Sequence, residues 1–416
     1  MPDSRIMDFM TRPTLVLLLL AIPASAQQPS FTPFHQSGIY HLKEKAGWKL
    51  SAPPDSAGWN YVIRKNNLDT IKSGALDFSQ GDATIEISLA EPAMLYVEIS
   101  GPNATPLHLG AAVAPSMLKP AVPRPADFDS FWDGKLKALA EIPIQPVLTP
   151  GESTKPGVEF YTVQLDSVGS HVQGYLAKPA REGRFPALVI YQYAGVYALQ
   201  PNTVIDRAAE GWLAFDVDSH DLLPTQATGA PTTYSAIGNT GRETSYFLKM
   251  YLRDARAIDY IRSRPDWDGK TIVIMGTSMG GQQSLVTAAL RPGITAVIVN
   301  EPSGADSNGN LHGRKAGYPN WPSNDPKIMQ TALYFDTVNF ASRIKAPVLA
   351  GIGFIDTTAP PVGIWTAIDQ IPGSKEVVSM VESDHNNRTP EKQGEYNARA
   401  KELLGILLNG GEFKPK

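Results

Sequence analysis

The sequence predicts a doubly wound α/β domain that follows a small all-β sandwich. Beyond about residue 116, apolar runs that suit buried parallel strands alternate with stretches of helical spacing. Before that point, short alternating runs separated by turn residues are typical of antiparallel strands. A chain of 416 residues is long enough for both units. We therefore divide it into a signal peptide (1–26), an immunoglobulin-like β-sandwich module (27–115) and an α/β domain (116–416).

The first 26 residues are typical of an export signal. Residues 15–22 (LVLLLLAI) form an apolar run that is too short to cross a bilayer, and the small residues before Gln27 fit the rule for signal-peptide cleavage. Translation from Met10 rather than Met1 would give a more typical signal, so the true start stays open. We expect a soluble mature protein, secreted or periplasmic, without a membrane partner.

The module at 27–115 is predicted to be antiparallel. Its clearest strands lie at 60–66, 83–89 and 93–100, where apolar residues alternate or run together between turns. Two interpretations stay open: the module is a structural appendage, or it binds glycans or forms oligomers. A linker at 114–128, which carries four prolines, joins it to the α/β domain.

The α/β domain opens with a predicted helix at 129–142 and continues with alternating strands and helices. Continuous apolar runs suit central parallel strands that are covered on both faces. The strands are predicted at 185–193, 212–218, 271–276, 294–302, 347–354 and 376–382, and the helices at 246–263, 280–291 and 397–410.

Composition and charge exclude several classes of function. The net charge of −4 provides no basic surface for nucleic acid. The lack of cysteine excludes a thiol nucleophile, thiolate metal sites and disulfides. The seven histidines show no metal-binding spacing, so we predict neither a metal nor another cofactor.

The stretch 274–284 (IMGTSMGGQQS) places a serine among glycines between a predicted strand and a predicted helix. Gly276, Ser278 and Gly280 match G-x-S-x-G, the sharp strand-to-helix turn that exposes a nucleophilic serine. A phosphate-binding turn would require the lysine of a P-loop or the G-x-G-x-x-G spacing, and neither is present. The sequence therefore predicts that Ser278 is a nucleophile.

A serine nucleophile requires a base, and an acid that orients the base. Two histidines follow Ser278 in the chain: His385 comes just after the last predicted strand, whereas His312 lies in a long polar insertion. Asp356 follows the next-to-last predicted strand, and Glu301 follows the strand before it. We predict His385 as the base and Asp356 as the acid, with His312 and Glu301 as the alternatives.

The oxyanion that forms during acyl transfer requires N–H donors. In a nucleophile elbow the first donor belongs to the residue after the serine, which is Met279 here. The second comes from the loop after an early strand, and the strand at 185–193 ends in such a loop. We predict the N–H of Tyr193, with Ala194 as the alternative.

Two polar connections, at 219–245 and 303–338, are long enough to be lids. Tyr318, Trp321 and Tyr334 lie in the second connection. Their rings either stack on a sugar of the substrate or fasten the long loop to the domain. Tyr318 and Trp321 are our candidate substrate contacts.

Together these motifs, from about residue 125 to 407, resemble the acetyl xylan esterase/cephalosporin-C deacetylase family of α/β-hydrolases. The resemblance is carried by segments 172–195 and 251–281, and most specifically by 334–361. It implies an α/β-hydrolase doubly wound sheet with a triad of Ser278, Asp356 and His385. It also implies that Tyr193 is the oxyanion tyrosine of the family.

The chain departs from the family pattern at positions that brace the site. Residues 216–223 (DVDSHDLL) replace an Arg-Gly-Gln-Gly motif, and Tyr191-Gln192-Tyr193 replaces His-Gly-Tyr. Asn386 follows the histidine in place of Glu, and Met279 stands where the family usually has Gln. Such positions also contribute to assembly in the family, so homo-oligomer formation stays open.

We therefore expect a secreted serine esterase that removes acetyl or other small acyl groups from carbohydrate through an acyl-enzyme. Its expected partner is an acetylated oligo- or polysaccharide such as acetylated xylan. Two alternatives stay open: a serine peptidase of the same fold, and a glycan-binding protein without catalytic activity.

Overall fold

A computed structural model describes residues 28–54 and 56–416. The predicted signal peptide, 1–26, lies outside the described residues. The described strands form sheets of three, five and nine strands. The strands are β1 Ser30–Pro33, β2 Ile39–Tyr40, β3 Lys45–Ser51, β4 Asn60–Lys65, β5 Asp69–Ala75, β6 Asp82–Ser88, β7 Ala93–Ser100, β8 Leu107–Val113, β9 Val147–Gly151, β10 Val158–Ser167, β11 Ser170–Pro179, β12 Phe185–Tyr191, β13 Leu213–Asp218, β14 Trp267–Thr277, β15 Ala296–Asn300, β16 Val348–Gly353 and β17 Lys375–Met380. The α-helices are α1 Phe128–Ala140, α2 Asn202–Glu210, α3 Tyr246–Ser263, α4 Met279–Leu290, α5 Pro326–Ala332, α6 Thr337–Ala341, α7 Pro361–Asp369 and α8 Pro390–Leu408.

The two smaller sheets form the N-terminal module. One has the strand order β1-β3-β6 and the other the order β2-β8-β7-β4-β5. Side chains from both sheets, including Trp48, Trp59 and Ile63, form an apolar core of their own. The three strands that the sequence marks most clearly in this region correspond to β4, β6 and β7.

The large sheet has the order β17-β16-β15-β14-β12-β13-β11-β10-β9. Strands β12 to β17 are parallel, and an antiparallel extension of β11, β10 and β9 completes one side. Every residue of β13, β15 and β16 is buried. The sheet is buried on both faces because α1, α3, α4, α6 and α7 cover one apolar cluster while α2 and α8 cover another. The predicted fold class, a doubly wound sheet behind an all-β module, is confirmed.

Some elements differ from the sequence prediction. Helix α8 begins seven residues before the predicted start, at a capping Thr389 whose hydroxyl accepts the Lys392 N–H. The polar character of that first turn hides it from a search for apolar periodicity. The connection at 303–338 is not an open loop, because it contains α5 and packs several aromatic side chains into the core.

Within the described residues, no helix is both long enough and apolar enough to cross a bilayer.

Candidate active site

The elbow has the backbone geometry that the sequence predicts. Strand β14 ends at Thr277 and helix α4 begins at Met279. Ser278, between them, has φ 56° and ψ −121°, a conformation that non-glycine residues rarely adopt. The Ser278 N–H donates to the carbonyl of Asn300 at 3.0 Å, which ties the elbow to the end of β15. The strained turn is therefore held by the neighbouring strand.

The two glycines of the elbow are needed because backbone approaches them closely. A Cβ on Gly276 would lie 2.3 Å from the carbonyl carbon of Gly280, across the turn. A Cβ on Gly280 would lie 2.2 Å from the carbonyl oxygen of Tyr191, the last residue of β12. No side chain fits at either position without displacing main chain. The elbow and the loop after β12 are thus in direct contact.

Ser278, His385 and Asp356 come together in one hydrogen-bonded chain. His385 Nε2 lies 2.8 Å from Ser278 Oγ, and its Nδ1 lies 2.7 Å from Asp356 Oδ2. The Asp356 side chain is fully buried, that of His385 is 10% exposed, and Ser278 is 5% exposed as a residue. The three elements that supply these residues are the elbow, the segment after β16 and the segment after β17. Their carboxyl ends meet at one edge of the parallel sheet.

The acid is fixed by its own loop. Asp356 Oδ1 accepts the N–H groups of Thr358 and Ala359, both at 2.7 Å. Its Oδ2 is left to His385. A carboxylate held in this way orients the imidazole, so that Nδ1 carries the proton and Nε2 faces the serine.

The alternative residues lie elsewhere or have other partners. His312 is exposed at the surface of the long insertion. Asp384, the neighbour of His385, accepts the N–H groups of Asn386 and Asn387 and thereby shapes the turn that carries the histidine. Glu301 is fully buried behind the triad. Of the two candidate acids, the structure pairs His385 with Asp356.

Glu301 stabilises the segment around the histidine. It accepts hydrogen bonds from Ser383 Oγ at 2.8 Å and from Arg388 Nε at 2.8 Å, one on each carboxylate oxygen. Burial, and then the negative charge of Asp356, raise the pKa of Glu301 above its ordinary value. Ser383 and Arg388 flank His385 in sequence, so Glu301 anchors both ends of that short segment.

Glu301, Asp356 and His385 also have potential ligand atoms within 4.8 Å of one another. Each of the three side chains is already hydrogen-bonded within the protein: Glu301 to Ser383 and Arg388, and Asp356 to His385. The hydrogen-bonding capacity of these groups is thus used within the protein, and the predicted lack of a metal stays a prediction.

The predicted oxyanion donors lie on the two segments that Gly280 brings into contact. Met279 opens α4, so its N–H is among the first helical N–H groups, which have no partner inside the helix. Tyr193 follows β12 by two residues; the residue is 53% exposed, and its ring stacks on Tyr197 with centroids 4.6 Å apart. The Tyr193 ring therefore lies at the surface of the protein while its main chain borders the elbow.

A buried glutamine network fixes the loop after β12, called here the oxyanion loop because it carries the predicted donor Tyr193. We did not predict this network from the sequence. Gln283 of α4 donates from Nε2 to the Gln192 carbonyl at 2.9 Å. The Gln192 side chain accepts the Ser219 N–H at 2.9 Å, and Ser219 Oγ donates to Gln283 Oε1 at 2.9 Å. Gln192 and Ser219 lie in segments where the chain departs from the family pattern. The closed set of hydrogen bonds shows how the departures still brace the site.

The side chain of Met279 is fully buried under two tyrosines. Tyr318 Oη lies 3.2 Å and Tyr234 Oη 3.5 Å from the Met279 sulfur, and the two hydroxyls are 2.8 Å apart. Burial raises the pKa of both phenols, so they stay neutral donors. Tyr318, a predicted substrate contact, therefore lies directly behind the residue that follows Ser278.

His220 joins the oxyanion loop to this tyrosine pair. Its Nε2 lies 2.9 Å from the Gly195 carbonyl and its Nδ1 lies 3.1 Å from Tyr246 Oη. The Gly195 N–H donates to Tyr234 Oη at 3.2 Å. Burial lowers the pKa of His220 to about 4, so the ring is neutral at pH 7. A neutral ring donates to Gly195 through Nε2–H and accepts the Tyr246 proton at Nδ1.

Trp321 requires a correction. We predicted that its ring contacts substrate, but Trp321 is only 5% exposed and stacks on Phe335, with centroids 6.3 Å apart, beside Phe247. Tyr334 is 6% exposed and donates from its hydroxyl to Asp127. For these two residues the structure favours the other interpretation, in which aromatic side chains fasten the insertion to the domain. The driving force is the apolar area that each ring buries.

Asp216, a buried carboxyl group of the large sheet, has a pKa far above its ordinary value. Asp216 of β13 is 4% exposed, and burial, followed by the charge of Asp218, raises its pKa from 3.8 to about 8. A pKa that is higher in the folded than in the unfolded state favours folding at low pH. This contribution is lost as pH rises through the interval from 3.8 to about 8.

The amino-acid sequence of the chain is similar to those of known esterases. The model of the acetyl xylan esterase (AXE1) family matches residues 116–308 and 317–400 of the chain. Acetyl esterase Axe7A of Xylanibacter ruminicola is 29% identical over 375 residues, which cover 85% of each protein.

Two solved structures are similar over nearly their whole length. The acetyl xylan esterase from Paenibacillus sp. R4 has 25% sequence identity and a TM-score of 0.61, and the match covers 70% of this chain and 98% of that one. Acetyl xylan esterase 1 from Thermoanaerobacterium sp. JW/SL YS485 has 21% identity and a TM-score of 0.60, with 70% and 97% covered. The second comparison supports the fold alone, which is that of the α/β-hydrolases.

Proposed function

Because the chain belongs to the acetyl xylan esterase family and is a carboxylic ester hydrolase, we propose that it removes acetyl groups from carbohydrate through a covalent intermediate on Ser278. The observation that carries the proposal is the chain of hydrogen bonds from Ser278 Oγ through His385 to Asp356, at 2.8 and 2.7 Å. An alcohol is a weak nucleophile at neutral pH, and a base in this position activates it.

In the first half of the reaction, Ser278 Oγ attacks the acetyl carbonyl while His385 Nε2 takes its proton. Asp356 holds the imidazole in the required tautomer and stabilises the imidazolium that forms. The N–H groups of Met279 and Tyr193 receive the negative charge of the tetrahedral intermediate. The C–O bond to the sugar then breaks, and His385 returns the proton to the departing sugar hydroxyl.

In the second half, water replaces the sugar. His385 takes a proton from the water as it attacks the acetyl-serine carbonyl, and the same N–H donors hold the second oxyanion. Collapse of this intermediate releases acetate and returns the proton to Ser278. The balance is one water consumed for each acetate, free hydroxyl and proton formed.

The stacked aromatic pair of Tyr193 and Tyr197 supports the proposal of a sugar substrate. Tyr193 is 53% exposed as a residue, and its ring is already aligned by stacking on Tyr197. Such a face suits the apolar side of a pyranose ring. The similarity to an acetyl esterase and to an acetyl xylan esterase supports an acetylated polysaccharide such as xylan.

Three variants test the mechanism. We expect Ser278→Ala to abolish acetate release, and Asp356→Asn to lower kcat by about four orders of magnitude because the histidine tautomer is lost. Glu301→Gln, the matched control for the rival acid, should keep most of kcat and lower the melting temperature. The measurements are p-nitrophenyl acetate hydrolysis, acetate release from acetylated xylan, and cleavage of an aminoacyl-p-nitroanilide.

Full turnover by the Ser278→Ala variant would exclude the serine mechanism. A preference for the anilide over both esters would favour the peptidase alternative. Loss of kcat in Glu301→Gln with activity retained in Asp356→Asn would exchange the roles of the two acids.

We also propose that the protein is exported. The proposal is supported by the apolar run at 15–22 and the small residues before Gln27. A substrate that is a polymer too large to enter a cell is consistent with that location.

A further inference from the structure

The turn between β4 and β5 of the N-terminal module reaches the catalytic acid. Asn66 and Asn67 form this turn, with φ of 51° and 59°. Asparagine tolerates this left-handed region better than most residues. The Leu68 N–H donates to the Lys65 carbonyl at 3.0 Å, which closes the hairpin. Asn66 is 7% and Asn67 9% exposed, so the turn is covered by other residues although hairpin tips usually lie in solvent.

Asn66 shapes the turn within the module. Its N–H donates to the Met94 carbonyl at 2.7 Å, and its Oδ1 accepts the Met94 N–H at 3.0 Å. Both bonds join the turn to β7 of the same sheet. The side chain of Asn66 therefore makes its hydrogen bond inside the module.

Asn67 points the other way. Its Nδ2 donates to the main-chain carbonyl of Asp356 at 3.1 Å. Its Oδ1 is buried without a partner among the described residues. An unpaired buried acceptor destabilises the fold. The contact with Asp356 is therefore the only hydrogen bond that the Asn67 side chain contributes here.

Packing of the module against the same segments strengthens this contact. A Cβ on Gly110 would lie 2.5 Å from Phe354 Cβ, and a Cβ on Gly38 would lie 2.7 Å from Val381 Cγ1. Phe354 comes two residues before the acid, and Val381 comes four residues before His385. The module thus rests on both of the segments that carry the acid and the base.

We propose that Asn67 is a positioning residue for ester hydrolysis, acting from the N-terminal module on the main chain of Asp356. The proposal rests on the proposed function, since it assumes that Asp356 orients His385. The Asp356 carboxylate is fixed by N–H groups of its own loop, and Asn67 fixes the carbonyl of the same residue. Two independent points of attachment leave the acid little freedom to rotate away from the imidazole.

The size of the effect follows from how strongly catalysis depends on position. A displacement of about 1 Å can lower a rate about 100-fold. Loss of one of two attachments permits a smaller movement, and we expect a fall in kcat of roughly tenfold. Substrate binding does not involve this contact, so KM should stay within about twofold.

The test compares Asn67→Gly with Asn66→Gly in the full chain. Glycine accepts the left-handed turn at both positions, and each variant removes one buried asparagine side chain from the same hairpin. Turnover of p-nitrophenyl acetate is expressed per serine titrated with diethyl p-nitrophenyl phosphate, so a misfolded fraction does not lower the value. We expect kcat to fall in Asn67→Gly and to stay within twofold of the parent in Asn66→Gly.

A double-mutant cycle identifies the route of the effect. If Asn67 acts through Asp356, the change Asn67→Gly will have no further effect in an Asp356→Ala background. Asn67→Asp, which keeps the shape and the turn but has no donor when ionised, provides a second variant if the glycine variant folds poorly. It should lower kcat as well.

Unchanged kcat in Asn67→Gly and Asn67→Asp would overturn the proposal. A loss of equal size in the Asp356→Ala background would overturn it too, because the effect would not pass through the acid. The Ser278→Ala variant is measured alongside: if it stays active, the proposed function fails. If Ser278→Ala is inactive while Asn67→Gly matches the parent, only the role of Asn67 is refuted.

Discussion

The contact between Gly280 and Tyr191 makes a quantitative prediction about the oxyanion site. In Gly280→Ala the new Cβ would lie 2.2 Å from the Tyr191 carbonyl oxygen, whereas ordinary contacts begin near 3.4 Å. Tyr191 is paired on both sides in the sheet, with Val217 and with Gly276, so it has little freedom to move. The start of α4 must therefore shift by about 1 Å, and the Met279 N–H moves away from the Tyr193 N–H.

We expect kcat of Gly280→Ala to fall about 100-fold, because displacement by about 1 Å and loss of one oxyanion donor each have effects of that order. Overpacking should also lower the free energy of unfolding by about 1–3 kcal/mol. The matched control is Gly405→Ala in α8, where a Cβ would have no neighbour within 4 Å. That variant should gain about 0.5–1 kcal/mol and keep its kcat.

The assay is p-nitrophenyl acetate turnover per titrated serine, combined with denaturation in guanidinium chloride. A kcat for Gly280→Ala within twofold of the parent would refute the reasoning, since it would mean that the oxyanion donors tolerate the shift. A lower stability with unchanged kcat would refute it equally.

Two further predictions concern pH and processing. The pKa of Asp216 rises from 3.8 to about 8 on folding, so Asp216→Asn should be more stable than the parent at pH 9 by up to a few kcal/mol, and the difference should shrink toward pH 4. Denaturation at both pH values tests this prediction. A difference in stability that does not depend on pH would contradict it. N-terminal sequencing of the exported protein should begin at Gln27, and a mature protein that retains residues 15–22 would contradict cleavage.

The strands of the large sheet could be predicted from the sequence because burial on both faces leaves a continuous apolar run. The run at 347–354 corresponds to β16 Val348–Gly353, and the run at 212–218 corresponds to β13 Leu213–Asp218. The long helix predicted at 246–263 has those bounds in the structure. Elements with an exposed face are harder to predict from the sequence. Strand β9, for example, is mostly exposed and therefore lacks a continuous apolar run.

The triad could also be predicted, because the chemistry requires few residue types and the fold fixes their order. Only two histidines follow Ser278 in the sequence. One of them, His385, comes just after a predicted strand, whereas the other lies in a long polar insertion. The choice between Asp356 and Glu301 was harder, since each follows a strand of the sheet. The structure separates them by hydrogen bonding: Asp356 contacts the imidazole, whereas Glu301 accepts hydrogen bonds from Arg388 and Ser383.

The bracing of the oxyanion loop could not be predicted from the sequence. Gln192, Ser219 and Gln283 come from three separate segments, and no spacing rule relates them. A weak signal exists, because Gln283 is a fully buried polar residue on an apolar helix. Buried amides require partners, so a glutamine within α4 indicates that polar groups of another element lie opposite.

The same limit explains why the sequence leaves the role of the N-terminal module open between a structural appendage and a unit that binds glycans or forms oligomers. From the sequence, Asn66 ends the predicted strand at 60–66, and no pattern connects Asn67 with the α/β domain. The contact becomes evident only in the structure. Gly38 and Gly110 allow the module to approach Phe354, and that approach brings the turn to Asp356. The family model begins at residue 116, so Asn67 lies outside the part of the chain that it matches. We infer that the module belongs to the catalytic unit, and that it stabilises the acid through the main chain while the α/β domain provides the chemistry.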